Sequence, residues 1–143
     1  PIEIKKLFPD ITVNGNACPM WVPLVENSEY NSDGADYFVK KELDRLLSQD
    51  KDIDTIVLAC THYPLLIDKI RKYVPKEMNI VSQGEIVAKS LENYLSRHSD
   101  MENHIGRGAT CKFYTTEAIE KFRKSASVFL HEEIEAERIT LAL

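Results

Sequence analysis

The stretch IDTIVLACTHYPLLIDKIRKYVPKEMNIVS, residues Ile53 to Ser82, decides the fold. Its IVLA segment is a short, continuous apolar run, which is typical of a parallel strand buried on both faces. Pro64 then suits the first turn of a helix that Pro75 ends, and a second apolar run at Met78 to Val81 indicates the next strand. A strand, a helix and a strand in this order predict an α/β domain with a parallel sheet and right-handed crossovers.

Further elements are predicted on both sides of this unit. Segment Ile11 to Val25 contains Pro19 and Pro23, which exclude a long helix, so a short strand followed by an ordered loop is expected. Elsewhere, apolar residues at helical spacing predict helices and short apolar runs predict strands. These elements are a helix capped by Ser32 or Asp33 that ends near Ser48 to Lys51, helices at Gly84 to His98 and Glu117 to Leu130, an exposed loop at Ser99 to Gly108, a strand at Lys112 to Thr115 and an edge strand near Ile134 to Leu141.

Composition narrows the class of protein. A chain of 143 residues with 43% hydrophobic residues can form one compact core or two small lobes. The net charge of -5 leaves no positive excess for a phosphate backbone, so no nucleic-acid partner is expected. No apolar run reaches the roughly 20 residues that span a bilayer, and no signal-peptide pattern opens the chain, so a cytoplasmic protein without a membrane partner is predicted. Because residue 1 is Pro1 rather than Met, the chain is interpreted as beginning inside a longer protein.

The cysteines are the first candidates for chemistry. Cys18, Cys60 and Cys111 are odd in number and widely spaced, with no C-x-x-C pair that would suggest zinc or a redox centre. Free thiols in a reducing compartment are therefore expected, and no metal site is predicted. Cys18 and Cys111 are interpreted as structural residues.

Cys60, Thr61 and His62 lie where ligands bind in α/β proteins, between the carboxyl end of a strand and the following helix. A thiol at a helix N-terminus has its thiolate stabilised, as a base or nucleophile requires. Thr61 adds a hydroxyl group and His62 a titratable ring. A plainer interpretation also fits the spacing, with Cys60 a small buried residue, Thr61 a helix cap and His62 a surface residue.

Two motifs carry a resemblance to a known family. LACTHYPLL at Leu58 to Leu66 resembles the second cysteine motif of the glutamate racemases, with Ala59 where that family usually has Gly. ACPMWVPLVE at Ala17 to Glu26 resembles the family's Cys-Pro and Val-Pro-Leu-Val-Glu segment, and FYTT at Phe113 to Thr116 follows the family's closing order. The resemblance covers nearly the whole chain and favours the functional interpretation of Cys60.

The resemblance implies a fold and a set of site residues. The fold is a three-layer α/β arrangement, a parallel sheet flanked by helices, in which residues 1–82 form the second lobe and residues 83–143 close the first. Cys60, His62 and Glu26 are implied as catalytic residues, with Glu26 paired to His62. Thr61 and His62 are implied as contacts of the substrate.

The implied activity is the cofactor-independent interconversion of L- and D-glutamate by two opposed cysteines, which supplies D-glutamate for peptidoglycan. The family's Asp-Ser-Gly loop and its Ala-Cys-Asn-Thr motif, with the first cysteine, are absent from this sequence, and Ser82-Gln83 replaces the usual Asp-Ser. The isolated chain is therefore predicted to be inactive and to form a homodimer, or to associate otherwise, through the surface left by the missing half. The alternatives are an aspartate- or hydantoin-type racemase and a non-catalytic module that binds an acidic amino acid.

Overall fold

The computed structural model of the chain describes residues 2–141, so Pro1 and Ala142 to Leu143, the outer ends of the two predicted lobes, lie outside it. Contacts within the chain divide it into two compact units, Pro1–Glu85 and Ile86–Leu143. The assignment of residues 1–82 and 83–143 to two racemase lobes stays a prediction.

The first unit is built around a pair of parallel strands with helices. Strands β1 and β2 pair in register from Thr55 opposite Asn79 to Leu58 opposite Ser82. The predicted α/β fold with parallel strands is thus confirmed. In chain order the elements are α1 (Ile2–Leu7), α2 (Trp21–Glu26), α3 (Asp33–Leu47), β1 (Thr55–Leu58), a 3₁₀ helix (Tyr63–Leu66), α4 (Ile67–Tyr73), β2 (Asn79–Ser82) and the start of α5 (Gln83–Arg97).

The core of this unit is formed by the apolar stripes of the helices and one face of the sheet. Val39 and Leu43, one helical turn apart on α3, are buried with Ile70 of α4. On β1, Ile56 and Leu58 are buried, whereas Val57 between them is 53% exposed. The prediction that β1 is buried on both faces is therefore wrong for this chain, because successive side chains of a strand point to opposite faces and only one face contributes to the core.

The short strand predicted within Ile11 to Val25 is also wrong. Residues 11–18 have no regular secondary structure, and α2 follows them. Trp21, Leu24 and Val25 are spaced as on one face of a helix, and all three are buried. Pro23 is tolerated because the N–H groups of a first helical turn have no partner within the helix.

The second unit contains shorter elements. They are the rest of α5, α6 (Ser99–Glu102), β3 (Phe113–Thr115), α7 (Ile119–Leu130) and β4 (Ala136–Arg138), and β4 pairs parallel with β3. Helix α6 lies within the predicted loop. The αL conformation of His131, with φ 57°, ends α7.

Little of the apolar surface of the second unit is covered. Ile134 is its one buried hydrophobic side chain among residues 86–141. Phe129 and Leu130, which helical spacing within Glu117 to Leu130 predicts on the buried side, are exposed. An apolar stripe of α5, formed by Ile86, Val87, Leu91 and Tyr94, is exposed as well. The prediction of burial for Phe129 and Leu130 is wrong for this chain, whereas uncovered apolar surface in this part of the chain was expected. No helix among residues 2–141 is long and apolar enough to cross a membrane.

Candidate active site

A tight turn after β1 carries the predicted site residues. The Tyr63 backbone N–H donates to the Cys60 carbonyl oxygen at 3.2 Å, which folds Cys60, Thr61 and His62 into one turn. The predicted helix then begins as the 3₁₀ helix, with Pro64 in its first turn, and continues as α4. Cys60 is thus held at the carboxyl end of β1 by backbone hydrogen bonding.

The structure brings Cys60, His62 and Glu26 into a line. His62 Nδ1 lies 3.7 Å from Cys60 Sγ, and His62 Nε2 lies 2.5 Å from Glu26 Oε1. Glu26 is the last residue of α2, so this helix supplies the carboxylate and the turn supplies the thiol and the imidazole. An ionised carboxylate only accepts hydrogen bonds, so Nε2 carries a proton and, in neutral imidazole, Nδ1 is left as an acceptor facing the sulfur.

These side chains lie at the surface of the first unit rather than in its core. The side chain of His62 is 23% exposed and that of Glu26 is 51% exposed. Cys60 is half-buried, and Thr61 is exposed beside it. A small molecule can therefore reach the thiol, the imidazole and the Thr61 hydroxyl from solvent.

Cys18 occupies a different environment. Its Sγ lies 3.8 Å from the Asn16 carbonyl oxygen and 3.9 Å from Asn16 Nδ2. Burial, reinforced by the charge of Glu42, raises the pKa of the Cys18 thiol to about 11. Cys18 is therefore a neutral thiol at pH 7, unsuited to act as a base. Cys111, predicted to pack, is exposed instead.

Glu42 is a feature that sequence reasoning missed. It is one of two buried polar or charged residues found among residues 2–141, and its carboxylate accepts a hydrogen bond from Asn16 Nδ2 at 2.9 Å. The signal was present in the sequence, because Glu42 follows Val39 by three positions on the apolar stripe of α3. Across residues 2–141, no three His, Cys, Asp or Glu side chains gather as they would to hold a metal ion.

Similarity to known proteins extends along nearly the whole chain. No protein-family model matches it. A glutamate racemase of Shouchella clausii is 37% identical over 130 residues, which are 91% of this chain and 46% of that protein. The chain spans about half the length of the curated relatives that it matches.

Two crystal structures show the same correspondence. Glutamate racemase isoform RacE1 of Bacillus anthracis is 30% identical, with a TM-score of 0.81 over 96% of this chain and 50% of that one. The glutamate racemase of Francisella tularensis, solved in complex with D-glutamate, is 25% identical, with a TM-score of 0.83 over 97% of this chain and 51% of that one. By sequence and by fold, the chain is therefore a half-length match to the glutamate racemases.

Proposed function

We propose that this chain supplies one of the two half-sites of a glutamate racemase, an isomerase that needs no cofactor. The observation that carries the proposal is the line from Glu26 through His62 to Cys60, with distances of 2.5 Å and 3.7 Å, formed by the two motifs that resemble the family. Cys60 is the acid/base thiol, His62 its proton acceptor and Glu26 the group that orients His62.

The proton movements follow from this geometry. His62 Nδ1 takes the proton of the Cys60 thiol, and Glu26 stabilises the resulting imidazolium. The Cys60 thiolate then removes the α-proton of glutamate: the C–H bond breaks, an S–H bond forms, and the electron pair is left on the α-carbon. An acid on the opposite face of that carbon returns a proton and inverts the centre.

That acid lies outside the turn described above. Inversion needs two groups on opposite faces of the α-carbon, and Cys60 acts on one face only. We assign Cys60 to the face from which the α-proton of L-glutamate is removed. A racemase works in both directions, so the second group must also form a thiolate and act as a base. Burial and the charge of Glu42 raise the pKa of the Cys18 thiol to about 11 and disfavour that thiolate, so Cys18 is not proposed as the second thiol. The second thiol belongs to the half of a racemase that has no counterpart in this sequence, so this chain alone is inactive.

Glutamate is the proposed substrate because a relative of similar fold is known in complex with D-glutamate. The exposed Thr61 hydroxyl beside Cys60 is a suitable donor to a substrate carboxylate. In the cell, D-glutamate made by the complete enzyme in the cytoplasm would enter peptidoglycan.

The exposed apolar stripe of α5, formed by Ile86, Val87, Leu91 and Tyr94, is the proposed contact surface. Monomeric proteins rarely leave a large contiguous apolar patch in water. Solved relatives of similar fold have about as much chain again as this one. We assign the stripe to polypeptide of that complementary half, and in its absence to a second copy of this chain.

The deciding experiment is a racemisation assay on a polypeptide that contains both halves. Cys60→Ser is expected to lower kcat at least 100-fold, since positioned acid/base groups typically contribute about 10²- to 10⁴-fold. Cys111→Ser, a matched change at an exposed thiol, leaves the rate unchanged. Full activity in Cys60→Ser would refute the assignment.

Calorimetry of the isolated chain with L- and D-glutamate distinguishes a half-site from a binding module. Racemisation that appears only with the complementary half supports the proposal. Binding without racemisation, even when that half is present, would favour a module that holds an acidic amino acid. Faster turnover of aspartate or a hydantoin would identify a different racemase.

A further inference from the structure

The hydrogen bond between Glu26 and His62 is too weak to hold the two side chains at this distance without support from other contacts. Ion pairs between partly exposed side chains contribute little, because water competes for both groups. Helix α2, which carries Glu26, has only six residues and lacks a side-chain cap at Met20. The separation of α2 from the turn that bears His62 must therefore be fixed by other contacts.

A ring contact joins these two elements. Trp21, at the start of α2, meets Tyr63 edge-on, with ring centroids 4.8 Å apart and an interplanar angle of 69°. The indole Nε1–H of Trp21 donates to the Phe38 carbonyl oxygen at 3.3 Å, and its side chain is buried. Trp21 is thus anchored to α3 and offers a fixed surface to Tyr63.

Tyr63 is held in turn by its own neighbours. Its backbone N–H closes the Cys60 turn, and His62 precedes it directly in the chain, so any displacement of Tyr63 also displaces His62. Burial, and then the thiols of Cys18 and Cys60, raise the pKa of its hydroxyl group. The hydroxyl therefore stays protonated beside Cys18 at neutral pH.

We propose that Tyr63, through its edge contact with Trp21, is a positioning residue that sets the distance between Glu26 and His62 and so locks His62 in the Nε2-protonated tautomer. The consequence for catalysis rests on the proposed function, because only that tautomer leaves Nδ1 to accept the Cys60 proton. The lock itself is a property of the chain whether or not it belongs to a racemase.

Nitrogen-15 NMR of the full chain tests the lock without any assay of activity. Above about pH 8, where histidine is ordinarily neutral, the two ring nitrogens of His62 give well-separated resonances if one tautomer dominates. Tyr63→Leu removes the ring. The ratio of Nε2-protonated to Nδ1-protonated His62 is then expected to fall several-fold, towards the ratio in the Glu26→Gln chain. Tyr63→Phe keeps the ring and retains the lock.

Tyr37→Leu is the matched control, because Tyr37 is also a tyrosine edge-on to an aromatic ring, that of Phe38 at 5.1 Å, but is exposed. It leaves the tautomer ratio unchanged. A folded Tyr63→Leu chain with the wild-type ratio overturns the proposal. If that variant does not fold, Trp21→Phe replaces it, because the smaller ring reduces the contact with Tyr63 and lacks the N–H that anchors Trp21 to Phe38. A lower ratio then supports the proposal, and an unchanged ratio overturns it.

In the two-half enzyme, Tyr63→Leu lowers kcat more than it raises KM, and Tyr63→Phe restores kcat. An altered tautomer in an enzyme that never racemises glutamate would refute the proposed function and leave the lock intact. If the complete enzyme racemises glutamate but Tyr63→Leu leaves the tautomer of His62 unaltered, the lock is refuted and the proposed function stands.

Discussion

Cys18 and Cys60 illustrate, at the scale of single residues, how surroundings separate two thiols of one chain. Cys60 faces His62 at the surface, whereas Cys18 is packed beside Asn16 and the buried Glu42. Burial and a nearby negative charge both disfavour a thiolate. The residue type alone does not reveal which cysteine is reactive.

The reactivity of Cys18 gives a prediction with a defined pH dependence. With a pKa of about 11, only about one Cys18 in 1000 is ionised at pH 8, three units below it. Alkylation by iodoacetamide, followed by peptide mass spectrometry, should rise about 100-fold between pH 8 and pH 10. Glu42→Gln removes one cause of the raised pKa and should increase labelling at pH 8. A rate that is constant across this range would contradict the account.

At the scale of elements, an ionic cluster joins α3 to α4. Asp36 of α3 accepts hydrogen bonds from Lys69, from Tyr73 at 2.7 Å and from Lys72 at 2.9 Å. Lys69 in the first place, and then Tyr73 and Lys72, hold the pKa of the Asp36 carboxyl far below its ordinary value of 3.8. The charged form of Asp36 is therefore favoured in the folded chain.

Replacing Asp36 tests this cluster. A lowered pKa in the folded state stabilises the fold above the unfolded value of 3.8, and this stabilisation is lost as the pH falls further. Asp36→Asn should lower the midpoint of thermal unfolding at pH 7, and its difference from the wild type should shrink below about pH 4. Asp44→Asn, in an exposed pair with Lys40, is the control and should change little. Equal effects of the two variants would contradict the prediction.

The start of α3 depends on a single cap. Ser32 Oγ accepts a hydrogen bond from the Ala35 N–H at 3.2 Å. Ser32→Ala should lower the free energy of unfolding by about 0.5–2 kcal/mol, measured by urea denaturation. Ser48→Ala at the other end of the helix should cost less, because its exposed hydroxyl only donates to the Arg45 carbonyl oxygen. Ser32→Asp should retain most of the stability, and a loss as large as that of Ser32→Ala would argue against capping.

At the scale of the whole molecule, the hydrophobic core is unevenly divided. All but one of the buried hydrophobic side chains among residues 2–141 belong to the first unit, and the exception is Ile134. Amide hydrogen exchange should therefore be slower in β1 and β2 than in β3 and β4, because local opening costs more where more apolar surface is buried. Equal protection of both strand pairs would show that the second unit is stabilised by something else.

The uncovered stripe of α5 leads to a prediction about association. Light scattering of the isolated chain should give a mass above that of the 16.4 kDa monomer. Leu91→Lys, in the middle of the stripe, should shift the chain towards monomer, whereas Ser96→Lys, at an exposed polar position on the same helix, should not. A monomeric wild-type chain at high concentration would remove the case for self-association.

Local patterns in the sequence predicted most of the elements. The apolar run before Cys60, the spacing of apolar residues along α3 and the cap at Ser32 are set by neighbours within a few positions. Such features follow from backbone geometry and side-chain periodicity, which act over short distances along the chain. Motif resemblance added the identity of the site residues, which periodicity alone left open.

Tertiary structure decided what depends on residues distant in sequence. Glu26 meets His62 across 36 positions, Asn16 reaches Glu42 across 26, and Trp21 packs on Tyr63 only because α2 and the Cys60 turn are brought together. The pKa of Cys18 and the exposure of one face of β1 likewise follow from packing. Electrostatic and burial effects depend on distance in space, so the sequence determined which groups this protein carries and the fold determined which of them act on one another.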